Sequence, residues 1–260
     1  MSEQILAASV RGDGQAVILL HGLFGSSDNL GRVAAELEKE FQVWQIDLRN
    51  HGSSFHSDEM NYPLMVEDLN RTMKVHGIER AHFIGHSMGG KVAMQFALTY
   101  SEKILTLIVA DIAPVRYPAH HQAIFKGLES LDLMEVKNRK MADAMLAEYI
   151  DVPGVRQFLI KSLDLSDKDH AKWRFNLRAI LEHYNEILDA CYSEKPFYGR
   201  TLFIAGGLSD YIKPEYREET LALFPKTELK IIPDTSHWLH AEKPGVFIGI
   251  CKRCLNESDR

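Results

Sequence analysis

The chain contains 260 residues, of which 45% are hydrophobic and 25% charged, a balance typical of globular rather than disordered proteins. Its 30 basic and 36 acidic side chains leave a formal charge of -6, which argues against non-specific binding to nucleic acid. No uninterrupted apolar stretch approaches the roughly 18 residues that cross a bilayer. We therefore expect a large folded core and neither a nucleic-acid nor a membrane partner.

The N-terminal residues and the cysteines bear on the cellular compartment. The chain begins without a basic segment followed by a long apolar run, so no signal peptide is expected. Its three cysteines, an odd and sparse number, favour a reducing compartment such as the cytoplasm. The pair Cys251 and Cys254 has metal or redox spacing, but it falls in a predicted C-terminal helix without a second Cys/His pair. We expect both of its cysteines to be structural.

Short β-branched runs alternate with helical patterns along the first half of the chain. A helix is predicted from Pro63 to His76, because proline suits the first helical turn and Gly77 suits the residue after the end. A second helix is predicted over Met88–Tyr100 from its apolar spacing. This alternation predicts an α/β fold with a mostly parallel sheet flanked by helices. The predicted strands are Ala16–Leu20, Phe41–Ile46, His82–Ile84 and Leu107–Ala110.

The alternation stops between about Pro114 and Pro196, and strand-like runs return at Thr201–Ala205 and Leu229–Ile232. A helical block inserted into an α/β sheet is typical of a cap over the sheet. We therefore predict a core domain made of residues 1–114 and 196–260, with a helical cap, or lid, over residues 115–195. The predicted cap helices are Ile124–Leu131, Met141–Ile150, Val155–Leu163 and Phe175–Leu188.

The segment Gly85-His86-Ser87-Met88-Gly89 has the form G-x-S-x-G and lies between a predicted strand and a predicted helix. At such a strand-to-helix turn, a serine is held in strained backbone geometry with its hydroxyl exposed above the sheet. Glycines are needed beside it because neighbouring backbone passes very close. The pattern therefore predicts Ser87 as a nucleophile.

A second segment, His21-Gly22-Leu23-Phe24, follows the first strand at the sheet edge where ligands gather in α/β proteins. We expect the backbone N–H groups of Leu23 and Met88 to form an oxyanion hole, and Phe24 to line the acyl pocket. His21 could also serve as a base, although residues of such loops usually brace the turn.

A serine nucleophile needs a base, and His237 is the best placed histidine because it lies in a loop after the last predicted strand. Its neighbour Trp238 is expected to form a wall of the pocket. Other histidines near the predicted site are less well placed for this role: His51, His86, His120, His121 and His240.

Two aspartates compete for the role of the acid that orients the base. Asp210 follows the strand Thr201–Ala205, and Asp111 follows the strand Leu107–Ala110, so both preserve the chain order of serine, acid and histidine. Either carboxylate could accept the imidazole N–H. Position along the chain alone slightly favours Asp210, and separate Asp→Asn variants would distinguish the two.

Five motifs taken together resemble the α/β-hydrolase superfamily, and more narrowly the small bacterial serine carboxylesterases of the YbfF type, which are related to mitochondrial abhydrolase-domain hydrolases. The resemblance extends from about residue 5 to 255. The motifs are HGLFGS (21–26), DLRNHGSS (47–54), GHSMGGKVAM (85–94), DIAPV (111–115) and SHWLHAEKP (236–244).

This resemblance implies ester or thioester hydrolysis without a cofactor. We expect the substrates to be short- to medium-chain carboxylic esters, cleaved through an acyl-enzyme without a metal. The resemblance moves the preference for the acid to Asp111, because these relatives carry the acid at the DIAPV position, although they lack the later aspartate that this chain has at Asp210. The partner is then a small-molecule ester, and the protein is a monomer or a homodimer. A thioesterase, a C–C bond hydrolase or lyase, and a hydrolase-like ligand receptor are the alternatives.

Overall fold

The computed structural model describes residues 4–167 and 170–257. Within these residues, seven strands pair into one sheet, and two short strands form a separate antiparallel ribbon. The strands are β1 (Ala8–Arg11), β2 (Ala16–Leu20), β3 (Gln42–Ile46), β4 (Ala81–His86), β5 (Ile104–Ala110), β6 (Leu163–Asp164), β7 (Lys172–Trp173), β8 (Thr201–Gly206) and β9 (Thr227–Ile232).

The strand order in the sheet is β1-β3-β2-β4-β5-β8-β9. All neighbouring pairs are parallel except β1 and β3, so the predicted mostly parallel sheet is confirmed. The sequence reading did not include β1, which lies at the sheet edge with all four residues exposed. An edge strand without a buried face has no alternating apolar pattern by which to recognise it.

Helices cover both faces of the sheet, because its central strands are buried on both sides. Along β2, Val17 and Leu19 pack into one apolar layer, and Ile18 and Leu20 pack into the other. The helices are α1 (Gly31–Leu37), α2 (Tyr62–Val75), α3 (Met88–Thr99), α4 (Gln122–Ser130), α5 (Arg139–Leu146), α6 (Pro153–Lys161), α7 (Leu177–Glu182), α8 (Tyr184–Leu188), α9 (Arg217–Leu223), α10 (Leu239–Glu242) and α11 (Pro244–Asn256).

Helices α1 and α11 contribute to the layer of Val17, and α2 and α3 contribute to the layer of Ile18. Helix α2 begins at Tyr62, one residue before the predicted start, and the side chain of Asn61 before it accepts a hydrogen bond from the Leu64 N–H at 2.9 Å. The pair Cys251 and Cys254 lies buried on α11, and burial raises the pKa of both thiols. Among residues 4–167 and 170–257, no group of three or more His, Cys, Asp and Glu side chains is arranged to hold a metal ion.

The chain between β5 and β8 forms helices α4–α8 and the β6–β7 ribbon, and we call residues 115–195 the insert. Its last predicted helix, Phe175–Leu188, is wrong as a single element, because α7 and α8 are separated at His183. The ring of His183 is hydrogen-bonded through Nε2 to the Asp58 carbonyl at 2.8 Å.

One buried lysine of α3 holds both ends of the insert. The Lys91 ammonium donates hydrogen bonds to the carbonyl of Val115 at 2.7 Å, to that of Leu188 at 3.1 Å and to that of Asp189. It also lies 4.9 Å from the centre of the Tyr117 ring. Burial lowers the pKa of Lys91 to about 8. Both ends of the insert are therefore fixed to the helix that follows Ser87.

Candidate active site

Ser87 lies between β4 and α3 with φ 54° and ψ −121°, a backbone conformation that is rare for residues other than glycine. Its N–H donates to the Ala110 carbonyl at 3.0 Å, which ties the turn to β5. A side chain at Gly85 would overlap the backbone of Gly89, and one at Gly89 would overlap the backbone of Leu20. The two glycines thus let the strained turn pack tightly, and the Ser87 hydroxyl lies on the carboxyl-terminal side of the sheet.

The imidazole of His237 lies between the serine and a carboxylate. Its Nε2 is 2.9 Å from the Ser87 Oγ, and its Nδ1 is 2.8 Å from the Asp111 Oδ2. Because the ionised carboxylate can only accept, the proton is on Nδ1, and the Nε2 lone pair faces the serine hydroxyl. The side chain of His237 is 18% exposed and that of Asp111 is fully buried. This arrangement can remove a proton from Ser87.

The Asp111 carboxylate receives two further hydrogen bonds. The Gly206 N–H donates to its Oδ1 at 2.9 Å, and the Ser209 hydroxyl donates to the Oδ2 that also faces His237. Asp111 directly follows β5 and has φ 53°, a conformation that aspartate tolerates better than most residues. The loop after β8 therefore helps to hold the carboxylate that touches the base.

Asp210 lies elsewhere, although it is only one residue beyond Ser209. Its side chain is 93% exposed, and its Oδ1 is 3.7 Å from the ammonium of Lys213. The structure thus brings Asp111 rather than Asp210 into contact with His237, in agreement with the preference that the resemblance implies and not with the one from chain position alone.

Two other histidines near the serine brace the surrounding loops. His21 accepts the Leu48 N–H on Nε2 at 3.0 Å and is bonded through Nδ1 to the Gly22 carbonyl at 2.8 Å. His51 accepts the Phe24 N–H on Nε2 at 3.2 Å, and burial lowers the pKa of its ring to about 3. Burial also lowers the pKa of His21. Both rings are neutral with both nitrogens engaged, so His21 is not placed as a base.

A histidine pair lies behind the imidazole of His237. The His86 Nε2 is hydrogen-bonded to the main-chain carbonyl of His237 at 2.8 Å, and its ring centre lies 4.3 Å from that of His240. Burial lowers the pKa of His240 to about 4, and that of His86 well below its ordinary value. The His86 ring thus holds the backbone of His237, and His240 packs against His86. Sequence reasoning missed this contact, because nothing in the spacing of His86 and His240 along the chain indicates that their rings meet.

Leu23 and Met88 line a cavity together with Ser87. Met88 is the first residue of α3, so its N–H precedes the hydrogen-bond ladder of the helix, and Leu23 follows β2 in the adjacent loop. Phe24, with φ 62°, is held by the bond from its N–H to His51 and by a bond from the Ser162 hydroxyl to its carbonyl at 2.7 Å. The loop that carries Leu23 is therefore anchored both to the core and to the insert.

Two adjoining cavities open beside Ser87, one of about 250 Å³ and one of about 30 Å³. Phe24 and Trp238 both line the larger one, where the Trp238 ring centre lies 4.2 Å from that of Phe158 in the insert. Tyr211 lines both cavities, and its ring stacks on His237 with 3.9 Å between the ring centres and 21° between the planes. The sequence reading did not single out Tyr211 or Ser209, which act through positions that only the folded loop after β8 defines.

Known proteins agree with this architecture. A family model described as the α/β hydrolase fold matches residues 15–137. The esterase YbfF of Escherichia coli strain K12 is 38% identical over 243 residues, which cover 93% of this chain and 93% of that protein. The sn-1-specific diacylglycerol lipase ABHD11 of Mus musculus is 34% identical over 241 residues, covering 90% of this chain and 78% of that protein. A solved structure of a marine microorganism esterase superposes with a TM-score of 0.94 at 38% identity, covering 96% of this chain and 99% of that one.

The parallel sheet, the helices on its two faces and the strained serine turn define an α/β hydrolase. With relatives of this identity along most of its length, the chain belongs to the α/β-hydrolase fold family. The predicted fold class and resemblance are confirmed, and so is the enzyme class, a carboxylic ester hydrolase. Within residues 4–167 and 170–257, no helix has the length and apolar character to span a membrane.

Proposed function

We propose that the chain is a serine carboxylesterase that hydrolyses short- to medium-chain carboxylic esters through an acyl-enzyme intermediate. Ser87 is the nucleophile, His237 the general base and acid, and Asp111 the residue that orients His237. The observation that carries the proposal is the unbroken contact from the Ser87 Oγ through both His237 nitrogens to the buried Asp111 carboxylate, beside a pocket.

Acylation begins when the Ser87 Oγ attacks the ester carbonyl carbon and the His237 Nε2 accepts the hydroxyl proton. The electron pair of the carbonyl moves to its oxygen, which receives hydrogen bonds from the Leu23 and Met88 N–H groups. One such donor contributes about 3–4 kcal/mol to the transition state. Asp111 stabilises the imidazolium by accepting its Nδ1–H.

The tetrahedral intermediate then collapses and the bond from carbon to the alcohol oxygen breaks. His237 returns its proton to that oxygen, so the leaving group departs as a neutral alcohol and the acyl group remains on Ser87. Water repeats the sequence: His237 accepts its proton, the hydroxide attacks the acyl carbon, and Ser87 leaves with the proton that His237 gives back. The products are the acid and the free serine.

The insert acts as the cap that selects substrates, with the core formed by residues 1–114 and 196–260. This is supported by Val155 and Phe158 of α6, which line the larger cavity together with Trp238 from the core. The substrate is therefore enclosed between the sheet edge and α6. The apolar character of these side chains favours a neutral small-molecule ester.

The test is hydrolysis of p-nitrophenyl esters of increasing acyl length by the wild type and by Ser87→Ala. We expect Ser87→Ala to lower kcat/KM by about 10⁴-fold or more, because the attacking atom is lost. Ser101→Ala is the matched control, since Ser101 is exposed beyond the opposite end of α3 and should leave the rate unchanged. Substantial turnover by folded Ser87→Ala would refute the proposal.

A covalent probe gives an independent readout of the nucleophile. An organophosphorus fluoride should add one phosphoryl group to the wild type, with mass spectrometry locating it on the peptide that contains Ser87. The Ser87→Ala variant should stay unlabelled. Labelling of another serine at the same rate would assign the nucleophile elsewhere.

A further inference from the structure

The two cavities beside Ser87 are unequal and share one boundary. Both are lined by Leu23, Ser87 and Tyr211, so they meet at the position of the reacting carbonyl. His120 and His121 of the insert also line both. An ester has two arms that leave its carbonyl in different directions, and two compartments meeting at the nucleophile can each hold one arm.

The smaller compartment, of about 30 Å³, lies over the start of α3. Because a water-sized group needs about 10–15 Å³ on this measure, the space accepts roughly two or three non-hydrogen atoms. Bulky buried side chains close it, among them Tyr62, Ile112 and Ile187. A long chain cannot enter without displacing them.

The larger compartment, of about 250 Å³, lies under α6 of the insert. Its apolar lining includes Ile124, Val155, Phe158 and Leu159 of the insert and Trp238 of the core. This volume and lining suit an alkyl or aromatic group of many carbon atoms.

The base distinguishes the two arms. The alcohol oxygen must receive its proton from the His237 Nε2, so the alcohol arm leaves on the side of His237. His237 lines the larger compartment and is not among the residues that line the smaller one, whereas Met88, whose N–H we assign to the oxyanion hole, lines the smaller. Because the alcohol arm takes the compartment beside His237, the substituent on the acyl carbon is directed toward the smaller compartment.

We propose, on the basis of the function assigned above, that this enzyme cleaves esters in which a short acyl group is joined to a large apolar alcohol. The acyl group occupies the compartment over α3, and the alcohol occupies the compartment under α6. Phe24 was predicted from the sequence to line the acyl pocket. In this assignment it contacts the alcohol arm instead, because it lines the larger compartment and not the smaller one.

The short acyl group is also uncharged. Lys91 lines the smaller compartment and is its one ammonium, but its three N–H bonds are directed to the carbonyls of Val115, Leu188 and Asp189. An acyl group ending in a carboxylate would have to take a donor from one of these buried carbonyls and leave it unsatisfied. Acetyl and propionyl groups carry no charge that would compete for the Lys91 hydrogen bonds, and they are short enough for the smaller compartment.

An isomeric pair of esters tests the assignment on the wild-type enzyme. Octyl acetate and ethyl octanoate have the same formula and differ only in the direction of the ester bond. We expect kcat/KM for octyl acetate to exceed that for ethyl octanoate by about tenfold or more, measured by titration of the released acid. Equal rates, or a preference for ethyl octanoate, would overturn the proposal.

Variants of each compartment give a second measurement. In the larger compartment, Val155→Phe should lower the ratio of kcat/KM for octyl acetate to kcat/KM for ethyl acetate. In the smaller compartment, Ile187→Ala should raise the ratio of kcat/KM for ethyl butanoate to kcat/KM for ethyl acetate. Val152→Phe is the matched control for the first, because Val152 is 58% exposed at the start of α6 and should leave the ratio unchanged. Ratios that shift in the opposite sense would overturn the assignment of the acyl and alcohol groups to the two compartments.

The outcomes also separate this proposal from the assignment of Ser87. If p-nitrophenyl acetate is hydrolysed in a Ser87-dependent way while ethyl octanoate is the better isomer, the compartment assignment fails and the esterase stands. If no ester is hydrolysed in a Ser87-dependent way, the proposed function itself fails.

Discussion

Replacing Asp111 by asparagine tests the carboxylate that touches the base without changing its shape. Asparagine tolerates the left-handed conformation of this position, where φ is 53°, so the backbone should be preserved. The change replaces one acceptor oxygen by an NH₂ donor. The side chain must then place its remaining oxygen either toward the Gly206 N–H or toward the His237 Nδ1–H, and it cannot serve both.

The structure gives the size of the effect. With the oxygen toward Gly206, the NH₂ group faces His237, whose proton must move to Nε2, so the ring can no longer accept the serine proton. With the oxygen toward His237, the buried Gly206 N–H loses its acceptor, which costs about 2 kcal/mol, or about 30-fold in the active population. A neutral amide also stabilises the imidazolium less than a carboxylate does, by about a further 30-fold. We therefore expect a fall of about 10³-fold in kcat.

The assay is p-nitrophenyl acetate hydrolysis at neutral pH by Asp111→Asn and by the control Asp210→Asn. Asp210→Asn should stay within about twofold of the wild type, because its exposed side chain lies near Lys213 and is not among the residues that line either cavity. Thermal unfolding of both variants checks that the fold is kept. An Asp111→Asn enzyme with more than a tenth of wild-type activity, beside an inactive Asp210→Asn, would refute the reasoning.

Two further predictions concern side chains that sequence reasoning did not single out. Tyr211→Phe should retain most activity, because the ring still stacks on His237. Tyr211→Leu should lower kcat by about tenfold and shift the midpoint of the pH profile of kcat/KM. Equal activity of the two variants would exclude a positioning role for Tyr211. Burial lowers the pKa of Lys91 to about 8. Between about pH 8 and pH 10 the Lys91 side chain therefore binds more protons in the unfolded chain than in the folded chain, so the stability of the fold rises with pH. The free energy of unfolding of the wild type, relative to Lys91→Met, should therefore increase by about 1.4 kcal/mol per pH unit in this window, as followed by chemical denaturation, and a flat difference would contradict the assignment.

Most of the architecture follows from local patterns of the sequence. Strand β2 matches its predicted bounds, Ala16–Leu20, because a fully buried strand is a continuous apolar run with polar and glycine residues beyond it. Helix α3 ends at Thr99, one residue before the predicted end. Boundaries in the insert were less predictable: the segment predicted as Met141–Ile150 forms a helix over Arg139–Leu146 instead. Its short helices are defined by packing against one another rather than by long periodic patterns.

The choice of acid could not be made from local patterns, because β5 and β8 are neighbours in the parallel sheet. Asp111 and Asp210 therefore both follow strands that end at the same sheet edge, and their spacing along the chain cannot separate them. What distinguishes them is conformation: Asp111 turns inward directly after its strand, while the turn after β8 directs Ser209 inward and Asp210 into solvent. That difference is a property of the folded loops.

The anchoring of the insert by Lys91 bears on how such an enzyme can change its specificity. The insert leaves the sheet after β5 and returns at β8, and these strands are hydrogen-bonded neighbours, so its two ends are already side by side. A segment with adjacent ends can vary in length and sequence without moving the strands that hold Ser87 and Asp111. We therefore expect the insert to be exchangeable as a unit, and the Val115 and Asp189 carbonyls bound by Lys91 mark where a graft from a related enzyme should be joined.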